Sequence, residues 1–220
     1  MNPDALTAAE RANASAQPLP VVFVVDDDVS VRESLELLIR FANWEPRLFD
    51  SASAFLAHPR PQTPSCLVLD INLPDLNGLD LQTAIALERS DMPIIFITGF
   101  GDIPRTVRAM KAGAVEFLTK PFDDEVLLKA IEDALRSSRQ ALQQRARQQA
   151  LRAAYATLTP REQEVMAMVV AGRLNKVIAA DLNISEITVK AHRGKVMRKM
   201  QVRSLADLVK AAAQLALPGG

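Results

Sequence analysis

Five short apolar runs alternate with helical patterns over the first 136 residues, and this alternation restricts the fold more than any other feature. The runs are 21–25 (VVFVV), 45–49 (EPRLF), 66–69 (CLVL), 93–97 (PIIFI) and 114–118 (AVEFL). Each is strand-length and bounded by polar or turn-forming residues. Between them lie VRESLELLIRFA, SASAFLA, GLDLQTAIALE and DIPRTVRAMKAG, and in the first of these Val31, Leu35, Leu38 and Ile39 recur at helical spacing. Asp102 is placed to cap the fourth, with Pro104 in its first turn. Five β–α units predict an α/β, doubly wound, five-stranded parallel sheet with helices on both faces. Such sheets bind ligands beyond the carboxyl ends of their strands, near the switch in strand order.

A chain of 220 residues has room for a second, smaller domain. The sequence holds no run of about 18 apolar residues, so no membrane span is expected. The N-terminal MNPDALTAAERANASAQPLP is small and polar, and 1–20 reads as a disordered leader. The single cysteine, Cys66, lies in an apolar run and reads as a small buried residue, which suits a reducing cytoplasm. A formal net charge of zero hides an asymmetry: residues 1–136 hold 12 Lys+Arg against 21 Asp+Glu, and residues 137–220 hold 14 against 5. A basic C-terminal module points to nucleic acid.

The expected domains are 21–136, a helical linker over 137–158, and an all-α module over 159–220. The linker is rich in Gln, Arg and Ala. Leu135, Leu142 and Gln149 keep a seven-residue spacing, too short and too polar to establish a coiled coil. The module opens with a capping box, Thr159 and Glu162, with Pro160 at the first helical position. Four helical patterns follow, at about 160–171, 175–182, 186–200 and 204–216, with Ser185 and Ser204 as caps of the last two.

The expected strand ends gather Asp26, Asp27 and Asp28 after the first strand, Asp70 after the third, Thr98 after the fourth, and Thr119-Lys120-Pro121 after the fifth. Adjacent carboxylates repel and lose hydration at the edge of a core. Something cationic belongs among them. Hard oxygen ligands of this kind suit Mg²⁺, which takes one or two carboxylates and keeps several waters. Asp28 reads instead as a helix cap.

Over about 20–136 the sequence resembles the receiver domain of two-component response regulators, through VVDDD, LVLDINLPDLNG, ITGFGD and EFLTKPF. It is most similar to the FixJ-type branch, through ITGFGDIPRTVRAMKAGAVEFLTKPF. The resemblance implies that Asp70 accepts a phosphoryl group from a sensor histidine kinase. It implies a Mg²⁺ site of Asp26, Asp27, Asp70 and the backbone carbonyl of Asn72. Lys120 and the Thr98 hydroxyl would contact phosphoryl oxygens, and Phe117 would be the switch aromatic. It also implies a homodimer formed on phosphorylation through the fourth helix and fifth strand, about 102–119. A cis Lys120–Pro121 bond is expected, because the chain must leave for the next helix while Lys120 turns back over the strand ends. Many relatives have Arg where Asn72 stands and His where Phe100 stands, so the resemblance brings no phosphoryl lifetime with it.

NKVIAADLNISEITVKAHRGKVMRKM has the anatomy of a helix-turn-helix. Ile178, Ala179 and Leu182 form the inner face of its first helix, Ile184 sits in the turn, and Ile187, Val189, Val196 and Met200 anchor the second. Lys190, Ala191 and Arg193 then fall where a recognition helix meets base edges, with Lys195, Arg198 and Lys199 at phosphates. From LTPREQEVM onward, over about 158–217, the module resembles the LuxR type. His192 packs or touches backbone rather than binding metal, and Gly194 departs from members with a long basic residue there. The combined reading is a cytoplasmic FixJ/NarL-type transcriptional regulator, not an enzyme, acting on a double-stranded DNA operator with RNA polymerase as a further partner. Two alternatives are a DNA-binding regulator whose receiver ignores phosphate, and a metal-dependent aspartyl phosphatase. The set Asp27, Asp70, Thr98 and Lys120 argues against the first. Against the second stands Asn72, where such enzymes need an acid.

Overall fold

The computed structural model describes residues 18–86, 89, 91–99 and 103–215. The 1–20 leader, apart from its last three residues, lies outside them, as do Phe100 and the cap expected at Asp102. The chain divides into two compact units, 1–142 and 143–220.

The first unit is a five-stranded, wholly parallel sheet. Its strands are β1 (Val21–Val25), β2 (Glu45–Phe49), β3 (Ser65–Asp70), β4 (Ile94–Thr98) and β5 (Glu116–Thr119), in the order β2-β1-β3-β4-β5. Pro46 is tolerated because β2 is an edge strand. The helices are α1 (Val29–Phe41), α2 (Ala52–Ala57), α3 (Gly78–Ile85), α4 (Ile103–Lys111) and α5 (Asp124–Ala156). Alternate residues of β1 serve opposite cores, as the pleat requires. Val21, Phe23 and Val25 pack with Phe55, Leu81 and Phe96 towards α2, α3 and α4. Val22 and Val24 pack with Leu35, Ile39, Leu127 and Ile131 towards α1 and α5. Cys66 is wholly buried in this second core, and burial pushes its thiol well above the ordinary range.

One expectation shifts. The fifth strand begins at Glu116 rather than Ala114, because Gly113, with φ of 94°, makes a left-handed turn after α4. The helical linker expected over 137–158 runs on from α5, which extends to Ala156. Packing of the first unit also passes residue 136: Ser138 is buried, and its Oγ accepts the Ser65 N–H at 3.0 Å. Leu135 lies inside this core, so it does not contribute to a seam with another chain.

The second unit contains α6 (Pro160–Val170), α7 (Asn175–Asp181), α8 (Glu186–Lys199) and α9 (Leu205–Gln214). The capping box forms as expected: Thr159 Oγ1 accepts from Glu162 N, and Glu162 Oε2 accepts from Thr159 N at 2.9 Å. Ser185 and Ser204 cap α8 and α9. Val165, Met166, Ile178, Val189, Val196, Met200 and Leu208 form its core, with Leu182 and Ile184 packed against it.

Candidate functional site: a carboxylate–lysine pocket and a helix-turn-helix face

The three successive acids after β1 divide the work. Asp28 caps α1, accepting from Ser30 N at 2.8 Å. Asp26 is wholly buried; its Oδ1 accepts from Asp28 N at 2.9 Å and its Oδ2 from Lys120 Nζ at 2.6 Å. Asp27 is exposed beside them. Asp70, the last residue of β3, is buried and takes a second hydrogen bond from Lys120 Nζ, at 2.8 Å. Carboxylate oxygens of Asp26, Asp27 and Asp70 lie within 4.8 Å of one another.

Lys120 reaches both acids because β4 and β5 run in parallel register, with Thr98 beside Thr119 and Lys120 N donating to Thr98 O at 2.7 Å. Lys120–Pro121 is cis, as expected. Burial raises the Asp26 carboxyl above its ordinary value, outweighing the help of Lys120. Burial alone would lower the Lys120 ammonium, but its bonds to Asp26 and Asp70 leave it raised. Thr98 is buried at the end of β4. Phe117 is half-buried, its ring 6.4 Å from that of Phe96.

Three further residues hold this pocket without having been singled out in the sequence. Arg32 donates to the Asp26 carbonyl at 2.5 Å. Gly78 starts α3 against the back of the strand end, where a Cβ would sit 2.6 Å from the Asp70 carbonyl oxygen. Asp75 caps α2 from the loop after Asp70, accepting from Ala52 N, Ser53 N and Ser53 Oγ. Those bonds, the Ser53 hydroxyl first, draw its carboxyl down to about 2. The Asn77-Gly78 pair in PDLNG signals a turn in the sequence, but not the close approach behind it. The backbone N–H of Asn72 donates to Asp70 Oδ1 at 3.0 Å.

In the second unit Lys190, Ala191, Lys195 and Arg198 are exposed on α8. Two other expected DNA contacts are engaged within the module. Arg193 is half-buried and donates to Asn175 Oδ1 at 2.6 Å. Lys199, expected at a phosphate, binds Glu162 Oε2 at 2.6 Å and Thr157 O at 2.9 Å. That pairing and the Thr159 N–H lower the buried Glu162 carboxyl below its ordinary value. Ile187 does not anchor α8: it is 79% exposed, pointing away from Val189 and Val196. His192 packs half-buried, as expected.

A doubly wound sheet closing on such a pocket, in one chain with a helix-turn-helix module, defines a receiver coupled to a DNA-binding domain. Comparison with known families agrees. Residues 22–132 match the response regulator receiver domain, and residues 156–212 match the bacterial regulatory proteins of the luxR family. The chain belongs to the FixJ/NarL-type response regulators, phosphorylation-dependent regulators of transcription rather than enzymes. It is 48% identical to nodulation protein W of Bradyrhizobium diazoefficiens, over 94% of this chain and 92% of that one. Transcriptional regulatory protein FixJ of the same organism is 42% identical, over 87% of this chain and 93% of its own length. Among solved structures, response regulator StyR is 49% identical with a TM-score of 0.82, covering 90% of this chain and all of that one. No helix among the described residues is long and apolar enough to cross a membrane.

Proposed function

We propose that Asp70 is the phosphoacceptor, taking a phosphoryl group from a sensor histidine kinase. The observation that supports this best is an excess of charge: three carboxylates gather within 4.8 Å, and the Lys120 ammonium bonds two of them, Asp26 and Asp70. Hard, clustered oxygen donors fit Mg²⁺, with Asp26, Asp27, Asp70 and the carbonyl of Asn72 as its ligands. Bound there, the metal would neutralise charge on the phosphoryl oxygens. An Asp70 oxygen attacks phosphorus, the P–N bond to the kinase histidine breaks, and an acyl phosphate remains on Asp70. Lys120 then exchanges its bond to the Asp70 carboxylate for one to a phosphoryl oxygen, and the Thr98 hydroxyl donates to another. Phe117 follows Thr98 inward as the switch aromatic.

The signal passes to a homodimer through α4 and β5. Val107, Met110 and Val115 are exposed there, and so are Arg108, Lys111 and Glu116, a self-complementary mix of apolar and charged groups. The dimer presents two copies of α8 to an operator, Lys190 at base edges and Lys195 and Arg198 at phosphates. Arg193 contributes by setting α8 against α7 through Asn175. The protein acts in the cytoplasm, with RNA polymerase as its downstream partner.

The test is direct. Acetyl phosphate with Mg²⁺ should add one phosphoryl group to the protein by intact mass, and none to Asp70→Asn. Unchanged uptake by Asp70→Asn would refute the assignment.

A further inference from the structure

The outward face of α8 holds a side chain that packing does not explain. The helix turns Val189 and Val196 into the module. At 100° per residue, Ile187, Ala191, Gly194 and Arg198 fall within an arc of about 60° on the opposite side. Ile187 is 79% exposed, and its three companions on this arc are exposed as well. A β-branched residue loses rotamer freedom in a helix, and here no burial compensates. Gly194 weakens a helix interior relative to alanine, yet a Cβ there would meet nothing within 4 Å. Neither residue serves the folded module by itself. Exposed Lys190 and Lys195 flank the strip and Arg198 ends it, giving an apolar line bordered by cations.

We propose that Ile187 is a specificity-determining residue that reads a thymine methyl in the major groove, with Ala191 on a second thymine and Gly194 leaving room for the helix backbone to approach. This rests on the reading of α8 as the recognition helix. The groove floor offers one apolar feature, the C5-methyl of thymine, and the isoleucine side chain has no hydrogen-bonding group with which to read anything else. The bordering cations match the phosphates on either side of the groove. Ile187 and Ala191 lie about 6 Å apart along the helix axis, against a rise of about 3.4 Å per base step. The two thymines therefore stand roughly two steps apart in each half-site.

Full-length protein phosphorylated by acetyl phosphate with Mg²⁺ is used to select duplexes from a random library. The selected duplex is then remade with each thymine replaced in turn by deoxyuridine, which keeps every hydrogen-bonding group and lacks only the methyl. Wild-type protein should bind about fourfold more weakly when either of two thymines per half-site is replaced, the factor that burying one methyl is worth. Ile187→Ala should bind the thymine and uracil forms equally at one of these positions and keep the preference at the other. Ile187→Val should keep most of both. If sequences are enriched but no thymine is uracil-sensitive, or if Ile187→Ala retains every preference, the role of Ile187 is overturned while the recognition helix stands. If no sequence is enriched, the DNA-binding reading itself fails, and this inference with it.

Discussion

Lys120 and Lys199 make almost the same contact and serve opposite ends. Each places its ammonium 2.6 Å from a buried carboxylate, Asp26 in the receiver and Glu162 in the DNA-binding module. The difference lies in what remains around the pair. Glu162 spends its charge on Lys199 and the Thr159 N–H, and the account closes. Around Lys120 stand three acids, and even with the Arg32 guanidinium on the Asp26 carbonyl negative charge is left over, part of it exposed at Asp27. A balanced buried pair holds structure together. An unbalanced one is poised for a ligand of opposite sign.

The largest expected effect tests this contrast directly. Lys120→Met leaves Asp26 buried without its cation, and breaking such a pair costs about 3–5 kcal/mol. Thermal melts in EDTA should show the receiver destabilised by that order, and added Mg²⁺ should restore much of the loss. Lys199→Met should destabilise the C-terminal module by about 1–3 kcal/mol, with no recovery on adding Mg²⁺. Equal responses of the two variants to Mg²⁺ would abolish the distinction.

Next comes Gly78→Ala. Its Cβ would lie 2.6 Å from the Asp70 carbonyl oxygen, and backbone cannot swing aside as a side chain can. A loss of about 1–3 kcal/mol is expected, together with slower uptake of phosphoryl from acetyl phosphate. A variant with wild-type melting and uptake would mean that α3 does not brace the site.

The two carboxylates should also respond to pH with opposite sign. Glu162 titrates in the folded module below its ordinary 4.5. Its stabilising contribution is complete above that value and disappears as pH falls through the folded one. Asp26 titrates above its ordinary 3.8, so without metal the receiver loses stability as pH rises from 3.8 through the raised value. Melts of the full-length protein in EDTA, compared with Glu162→Gln and Asp26→Asn, should each lose one of these slopes. The smallest effect belongs to DNA. Lys195→Ala and Arg198→Ala should each lower the salt slope of operator binding by about one without changing base preference. A changed preference would move those residues from the phosphates to the bases.

Most of the receiver was legible because its information is local. VVFVV and EPRLF are strands at the residues expected. A parallel sheet brings strand ends together, so Asp26, Asp70 and Lys120 could be assembled from order alone, although 94 and 50 residues separate Lys120 from its partners. β5 was misplaced at its start because the apolar Ala114 is buried in a turn, and hydrophobicity does not distinguish a buried turn from a strand. The C-terminal helices were equally plain from their caps. Their surface was not. Grouping Ile187 with Val189 and Val196 overlooks that, at 100° per residue, it falls on the side of α8 opposite them, where the packing leaves it exposed. Lys199 looked like a free cation because its partner, Glu162, lies 37 residues earlier and was already assigned to a cap.

Cys66 is the chain's one thiol, wholly buried in β3 four residues before Asp70, and held protonated by its apolar surroundings. It is therefore chemically silent while the sheet is closed and becomes reactive only when β3 is released. Its rate of modification by a thiol reagent would count the openings of the central strand, one by one, in the unaltered protein.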